Sequence, residues 1–143
     1  MSEPREVTLL VVDDDKVDRM AISRALKKQR IANPVAEASN GIEALEILRG
    51  EHSDKKIEFP VLVLLDIKMP KMDGLECLRQ IRNDKILCNT VVFVMTTSEQ
   101  NEEKKQAYDL KANGYVTKKA AGPSFLDMIS LVESYWKIVA FPE

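Results

Sequence analysis

Five short apolar runs alternate with amphipathic stretches along this chain, and that alternation is its main structural signal. The clearest is Val61 to Leu65, an unbroken apolar run closed by Asp66 and followed by the turn signals Pro70 and Gly74. So short a run, with no polar alternation, predicts a strand buried on both faces, as in the middle of a parallel sheet. Val7 to Val12 and Thr90 to Met95 are similar runs, Val35 to Ala38 is a weaker strand, and Tyr115 to Thr117 is a brief last one.

Between them the apolar spacing turns helical. Val17, Met20, Ala21 and Ala25 predict a first helix that Asp15 can cap, and Asn33-Pro34 breaks it. Ser39-Asn40-Gly41 opens a second helix carrying Ala44, Leu45 and Leu48; Leu75, Leu78 and Ile81 mark a third. Thr97 and Gln100 have capping-box spacing for a strongly polar fourth helix through Asn113. The last, from about Pro123 to Val139, shows Phe125, Met128, Ile129, Val132 and Trp136 on one face. Gly50 to Glu58 reads as an extended polar loop, with His52 expected at the surface. Strands alternating with helices imply an α/β fold: a five-stranded parallel sheet covered by helices on both faces, because parallel neighbours need crossover connections.

Composition narrows the function. The chain has 143 residues, 45% hydrophobic and 31% charged, as in one ordinary globular domain. A net charge of -2 supplies no basic field for nucleic acid or anionic lipid. Cys77 and Cys88 lack CxxC spacing and read as reduced, packed thiols. The start, Met-Ser-Glu-Pro-Arg-Glu, is polar, and no run is long enough to span a bilayer, so a cytoplasmic protein with neither nucleic-acid nor membrane partners is expected.

The polar residues that stand out all fall at carboxyl ends of strands, where open α/β sheets bind their ligands. Asp13 and Asp14 follow the first strand, Asp66 ends the third, Thr96 the fourth and Lys118 the fifth. Three converging carboxylates repel one another, and Mg²⁺, a hard ion that takes oxygen ligands, resolves the conflict. A lysine and a hydroxyl on the remaining sides suit the spread charge of a transferred phosphoryl group, so the set reads as a phosphoryl-accepting site with Asp66 as its nucleophile. Taken singly, each feature has a plainer reading: the Asp triplet as a helix cap, Thr96-Thr97 as another, Lys118 as a solvated side chain.

In combination, LLVVDDD at Leu9 to Asp15, VLLDIKMPKMDG at Val63 to Gly74, VMTTS at Val94 to Ser98 and GYVTK at Gly114 to Lys118 resemble the response-regulator receiver domain of two-component signalling. The resemblance implies a flavodoxin-like (βα)5 fold with strand order 2-1-3-4-5 and a single receiver over 1–143, with a tail at 140–143 and no output domain. It implies that Asp66 is the phosphoacceptor, and that Mg²⁺ sits on Asp14, Asp66 and the main-chain carbonyl of Lys68, with Asp13 acting through water. Thr96 resembles the family's switch hydroxyl, Tyr115 its aromatic rotamer partner, and Lys118 the lysine that pairs with the phosphoryl group. Two departures stand out. Lys119 follows Lys118 where the family usually has a proline in a cis bond, so the loop stores strain or takes another path. The segment Gly50 to Glu58 is also longer than usual.

Those departures, with Ser134-Tyr135-Trp136 and the tail Ala140-Phe141-Pro142, resemble the single-domain regulators that serve bacterial phytochrome kinases. The expectation is a stand-alone switch, not a turnover enzyme. It takes a phosphoryl group from a sensor histidine kinase, in this subgroup a bacteriophytochrome, and alters the face formed by the fourth helix, last strand and last helix. Leu131, Tyr135 and Ile138 form a second apolar stripe on the last helix, which is either part of a wide buried face or, with the tail, a homodimer surface. The alternative is a receiver-like adaptor that works without phosphorylation. An Asp-nucleophile phosphohydrolase would want Asp two residues after Asp66, where Lys68 stands, and no phosphate-binding loop for a flavodoxin-like cofactor follows the first strand.

Overall fold

The computed structural model describes residues 6–142; the polar N-terminal residues 1–5 and Glu143 of the expected tail lie outside them. The elements run β1 (Thr8–Val12), α1 (Lys16–Lys28), β2 (Val35–Ala38), α2 (Gly41–Arg49), β3 (Val61–Asp66), α3 (Gly74–Asn83), β4 (Val91–Thr96), α4 (Asn101–Asp109), β5 (Gly114–Thr117), a 3-10 turn (Pro123–Phe125) and α5 (Leu126–Ile138). The five strands form one sheet in the order β2-β1-β3-β4-β5, every pairing parallel, as the resemblance implied.

All residues of β1, β3 and β4 are buried, because helices cover both sides of the sheet. Their side chains alternate between two cores. Leu10, Val12, Val63, Leu65, Val92 and Val94 pack against Ala44, Leu45, Leu48, Leu78, Ile81 and Ala107, which α2, α3 and α4 supply. On the other side Leu9, Val11, Leu62, Leu64, Phe93 and Met95 meet Ile22, Ala25 and Leu26 of α1 and Met128, Ile129 and Val132 of α5. Each of the larger side chains among these contributes roughly 1.5 to 3 kcal/mol by its burial, enough to hold every strand end in place.

Several local expectations are corrected. Helix α1 is turned so that Ile22, Ala25 and Leu26 meet α5, leaving Val17 and Met20, expected on its buried face, exposed. Thr97 and Gln100 form no capping box. The Thr96 hydroxyl accepts from the Ser98 amide and the Ser98 hydroxyl from the Gln100 amide, so these residues are used in two successive turns and α4 begins only at Asn101. Nor does α4 reach Asn113. It stops at Asp109, because the Arg82 guanidinium takes the carbonyls of Leu110 and Lys111 while the Asn113 side chain accepts from the Val92 amide of β4.

His52 is also not a bare surface residue. Its Nδ1 accepts from the amides of Asp54 (3.1 Å) and Lys55 (3.0 Å), so Nε2 carries the proton and donates to Glu43 at 3.1 Å. Lys55 adds bonds to the Glu37 carbonyl and to Glu43, so the long loop is stitched to β2 and α2. Cys77 is buried and its thiol pushed up to about 12 by that burial, whereas Cys88 is only half-buried. Among the described residues the cis peptide bond is Phe59-Pro60; Lys118-Lys119 is not cis, so the chain after β5 takes the other path.

Candidate functional site

Register decides which residues share the rim. Val12 pairs with Leu65 and Asp66 with Met95, so Asp13 and Asp14 leave β1 beside the tip of β3, and Thr96 lies one residue past the partner of Asp66. Thr96 in turn pairs with Thr117, which delivers Lys118 to the same edge, and the Lys118 amide donates to the Thr96 carbonyl at 2.7 Å. The loop after Asp66 folds back tightly enough that Gly74 cannot be replaced cheaply: an added Cβ would lie 2.2 Å from the Asp66 carbonyl oxygen. Asp73 caps α3 through the Glu76 amide and Asp15 caps α1 through Val17, so the loops carrying the site end in fixed helix starts.

The carboxylates of Asp13, Asp14 and Asp66 come within 4.8 Å of one another. Asp13 and Asp66 are buried and Asp14 is exposed. The Lys118 ammonium donates to Asp13 Oδ2 at 2.9 Å and stands 3.7 Å from Asp66 Oδ1, so it attracts Asp66 without bonding it directly. Burial first, and then the neighbouring Asp13 carboxylate, push Asp66 up to about 7. Burial likewise raises Asp13 despite its bond to Lys118. Burial opposes the charge on Lys118, but hydrogen bonds to Asp18 and Asp13 outweigh it and raise the lysine above its ordinary value.

A site whose two buried acids, Asp13 and Asp66, are held above their normal range, with hard oxygen donors gathered on one side, fits a divalent cation. Asp13, Asp14 and Asp66 are the side chains that could hold it. The main-chain amide of Lys68 favours the ionised form of Asp66, while the Lys68 ammonium turns away to Glu103 of α4 at 3.1 Å. The other Glu103 oxygen is buried without a partner among the described residues. Thr96 is fully buried, and the half-buried Tyr115 donates its hydroxyl to the Ser98 carbonyl at 3.2 Å, on the turn that Thr96 anchors.

Residues 9–130 match the response regulator receiver domain family. The chain belongs to that family. Among curated relatives, response regulator Rcp1 of Synechocystis sp. is 32% identical over 135 residues, covering 94% of this chain and 91% of its own. The solved Mn²⁺-bound form of Rcp1 superposes with a TM-score of 0.84 at 30% identity, over 97% of this chain and 100% of that one. The phosphorylated cyanobacterial phytochrome response regulator RcpA gives 0.86 at 31% identity over the same shares. The bacteriophytochrome response regulator AtBRR gives 0.76 at 30% identity, over 98% and 99%. The chain is thus a receiver-domain response regulator of two-component signal transduction, with a fold suited to divalent metal and to a histidine-kinase partner.

Asp13, Asp14, Asp66, Thr96 and Lys118 all reach the rim, as strand order requires. Three contributors carry no such signal in the sequence. Asp18 bonds Lys118 at 2.7 Å. Arg19 donates to the Asp13 carbonyl and pairs with Glu37 at 3.0 Å, clamping the turn after β1. Glu103 reaches Lys68 from another element. Asp18 resembles any acid in a first helical turn, and only its hundred-residue contact with Lys118 marks it out.

Proposed function

We propose that Asp66 accepts a phosphoryl group from the phosphohistidine of a sensor histidine kinase, with Mg²⁺ held by Asp14, Asp66 and the Lys68 carbonyl and by Asp13 through water. The observation that carries this reading is the Lys118 ammonium, 3.7 Å from an Asp66 oxygen in a pocket where three carboxylates gather. When bound, Mg²⁺ neutralises acid charge and screens the transferring oxygens. An Asp66 oxygen attacks phosphorus, a P–O bond forms, and the P–N bond breaks with its electron pair left on the imidazole, which takes up a proton. Lys118 stabilises the negative charge spread over the equatorial oxygens. Hydrolysis reverses the gain: water attacks phosphorus, the Asp66 carboxylate leaves, and phosphate departs.

The new charge is read by Thr96, whose buried hydroxyl is drawn toward the phosphoryl oxygens, releasing the Ser98 amide and with it the bond from Tyr115 to the Ser98 carbonyl. The face that changes is a groove of about 460 Å³ between α4, β5 and α5, lined by Lys104, Tyr108, Tyr115, Asp127 and Leu131. We read the chain as a single-domain cytoplasmic regulator serving a bacteriophytochrome kinase, supported by its likeness to RcpA and AtBRR. A homodimer through α5 and the tail is supported by Leu131 and Ile138, 52% and 82% exposed. Tyr135, between them on the helix, instead stacks edge-on against Phe93 and Phe141, which draws the tail to the same surface.

Acetyl phosphate and Mg²⁺ should label the protein, and Asp66→Asn should lose the label completely; undiminished labelling removes the assignment and favours an adaptor that works without phosphorylation. Light scattering should report a dimer, and a monomer at high concentration with and without a phosphoryl mimic ends that part.

A further inference from the structure

The Lys118 ammonium is nearer to a residue outside the acid trio than to Asp66. It donates to Asp18 Oδ2 at 2.7 Å and to Asp13 Oδ2 at 2.9 Å, against 3.7 Å to Asp66 Oδ1. Lys118 is 14% exposed and Asp18 25%, so water screens this contact only in part. Asp18 lies in the first turn of α1, where it has a second duty, its amide donating to the capping side chain of Asp15 at 3.4 Å. Its carboxylate, however, crosses to the end of β5, a placement that helix capping does not require. Charge-assisted bonds are roughly twice as strong as neutral ones, so the full charge on Asp18 holds the ammonium much more firmly than an amide oxygen would.

We propose that Asp18 is a positioning residue for Lys118, holding its ammonium back from Asp66 and cancelling part of the positive charge that the incoming phosphoryl group meets. The inference rests on the reading of Asp66 as phosphoacceptor. It deepens that reading by naming what limits the lysine. An ammonium has three protons, two of which are engaged by Asp13 and Asp18. A cation in the acid trio would compete with Lys118 for the charge of Asp13; Asp18, outside the trio, keeps its hold on the ammonium. Phosphoryl uptake therefore works against the bond to Asp18, and the strength of that bond tunes the rate at which the regulator is charged by a small donor.

The test is the initial rate of labelling by acetyl phosphate at saturating Mg²⁺, which removes any effect of Asp18 on cation affinity. Asp18→Asn keeps the shape and the capping amide and should raise the rate roughly fivefold, the scale of one weakened charge-assisted bond. Asp18→Glu, which restores the charge, should return it toward the native value. The decisive control is the same pair in a Lys118→Ala background, where Asp18→Asn should have no effect, since the group it acts through is gone. An unchanged or slower Asp18→Asn protein with native circular dichroism overturns the proposal, as does a rate change that persists without Lys118. Native labelling that survives Asp66→Asn is a different failure: it removes the phosphoacceptor reading on which the proposal stands.

Discussion

Two clusters of charge sit on this receiver within a few residues of the same sheet edge, and they are built on opposite plans. Around Glu43 every group is matched: one carboxylate receives the Ser39 amide, His52 Nε2 and Lys55 Nζ, and its pKa is lowered, because those bonds outweigh its burial. Around Lys118 one cation faces Asp13, Asp18 and Asp66, and the buried acids Asp13 and Asp66 are raised. The first cluster is architecture, tying the long loop to β2 and α2. The second is poised, since its mismatch is relieved only by a proton, a cation or a change at Asp66. A satisfied network and a frustrated one use the same residue types, and the balance of charge tells them apart.

The largest expected effect lies in the frustrated cluster. Lys118→Ala should slow acetyl phosphate labelling by roughly a hundredfold, the cost of losing one preorganised donor to the transferred group, while Glu43→Gln should leave the rate within twofold. Equal losses from the two would erase the distinction.

Next is the response to pH. Asp66 rises from 3.8 to about 7 on folding, so between those values the native state holds more protons than the unfolded one and stability falls as pH rises. Relative to Asp66→Asn, the metal-free native protein should therefore lose on the order of 2 to 4 kcal/mol between about pH 4 and 7, with excess Mg²⁺ abolishing the slope. Urea titrations of both proteins at several pH values provide the measurement.

Glu43 carries the opposite sign. Its lowered pKa means a contribution present above the ordinary value of 4.5 and lost as pH falls below it, so acid should loosen the Glu43 network while relieving the acid pocket. Glu43→Gln should cost about 1 to 2 kcal/mol at neutral pH and remove that acid limb. The smallest effect, about 1 kcal/mol, belongs to His52→Ala, read as faster hydrogen exchange at the amides of Asp54 and Lys55. Unchanged protection there would make the loop independent of its histidine.

Much of the working cluster is legible in the sequence. Strands β1, β3 and β4 announce themselves because a strand covered on both faces must be apolar throughout, and once five strands are parallel their carboxyl ends share a rim. Asp13, Asp14, Asp66, Thr96 and Lys118 follow from that alone. The Glu43 cluster was not legible, because a histidine in a polar loop shows nothing of the ring nitrogen that gathers two amides behind it. Helix α4 was misplaced for a related reason: Thr96 and Ser98 hydroxyls make turns as readily as caps, and the choice depended on β4 and Arg82, distant in sequence.

The order of residues along the chain determined the strands, the alternation of five strands with five helices and the acids and lysine at the strand ends, since the spacing of apolar positions is a local property of the chain. What the tertiary structure decided was which partner each charged group found. Lys118 could have bonded Asp66 directly and instead lies closer to Asp18, because side-chain bonds form between groups that packing brings together, and Asp18, in a first helical turn and not at a strand end, carries no mark of that contact in the sequence.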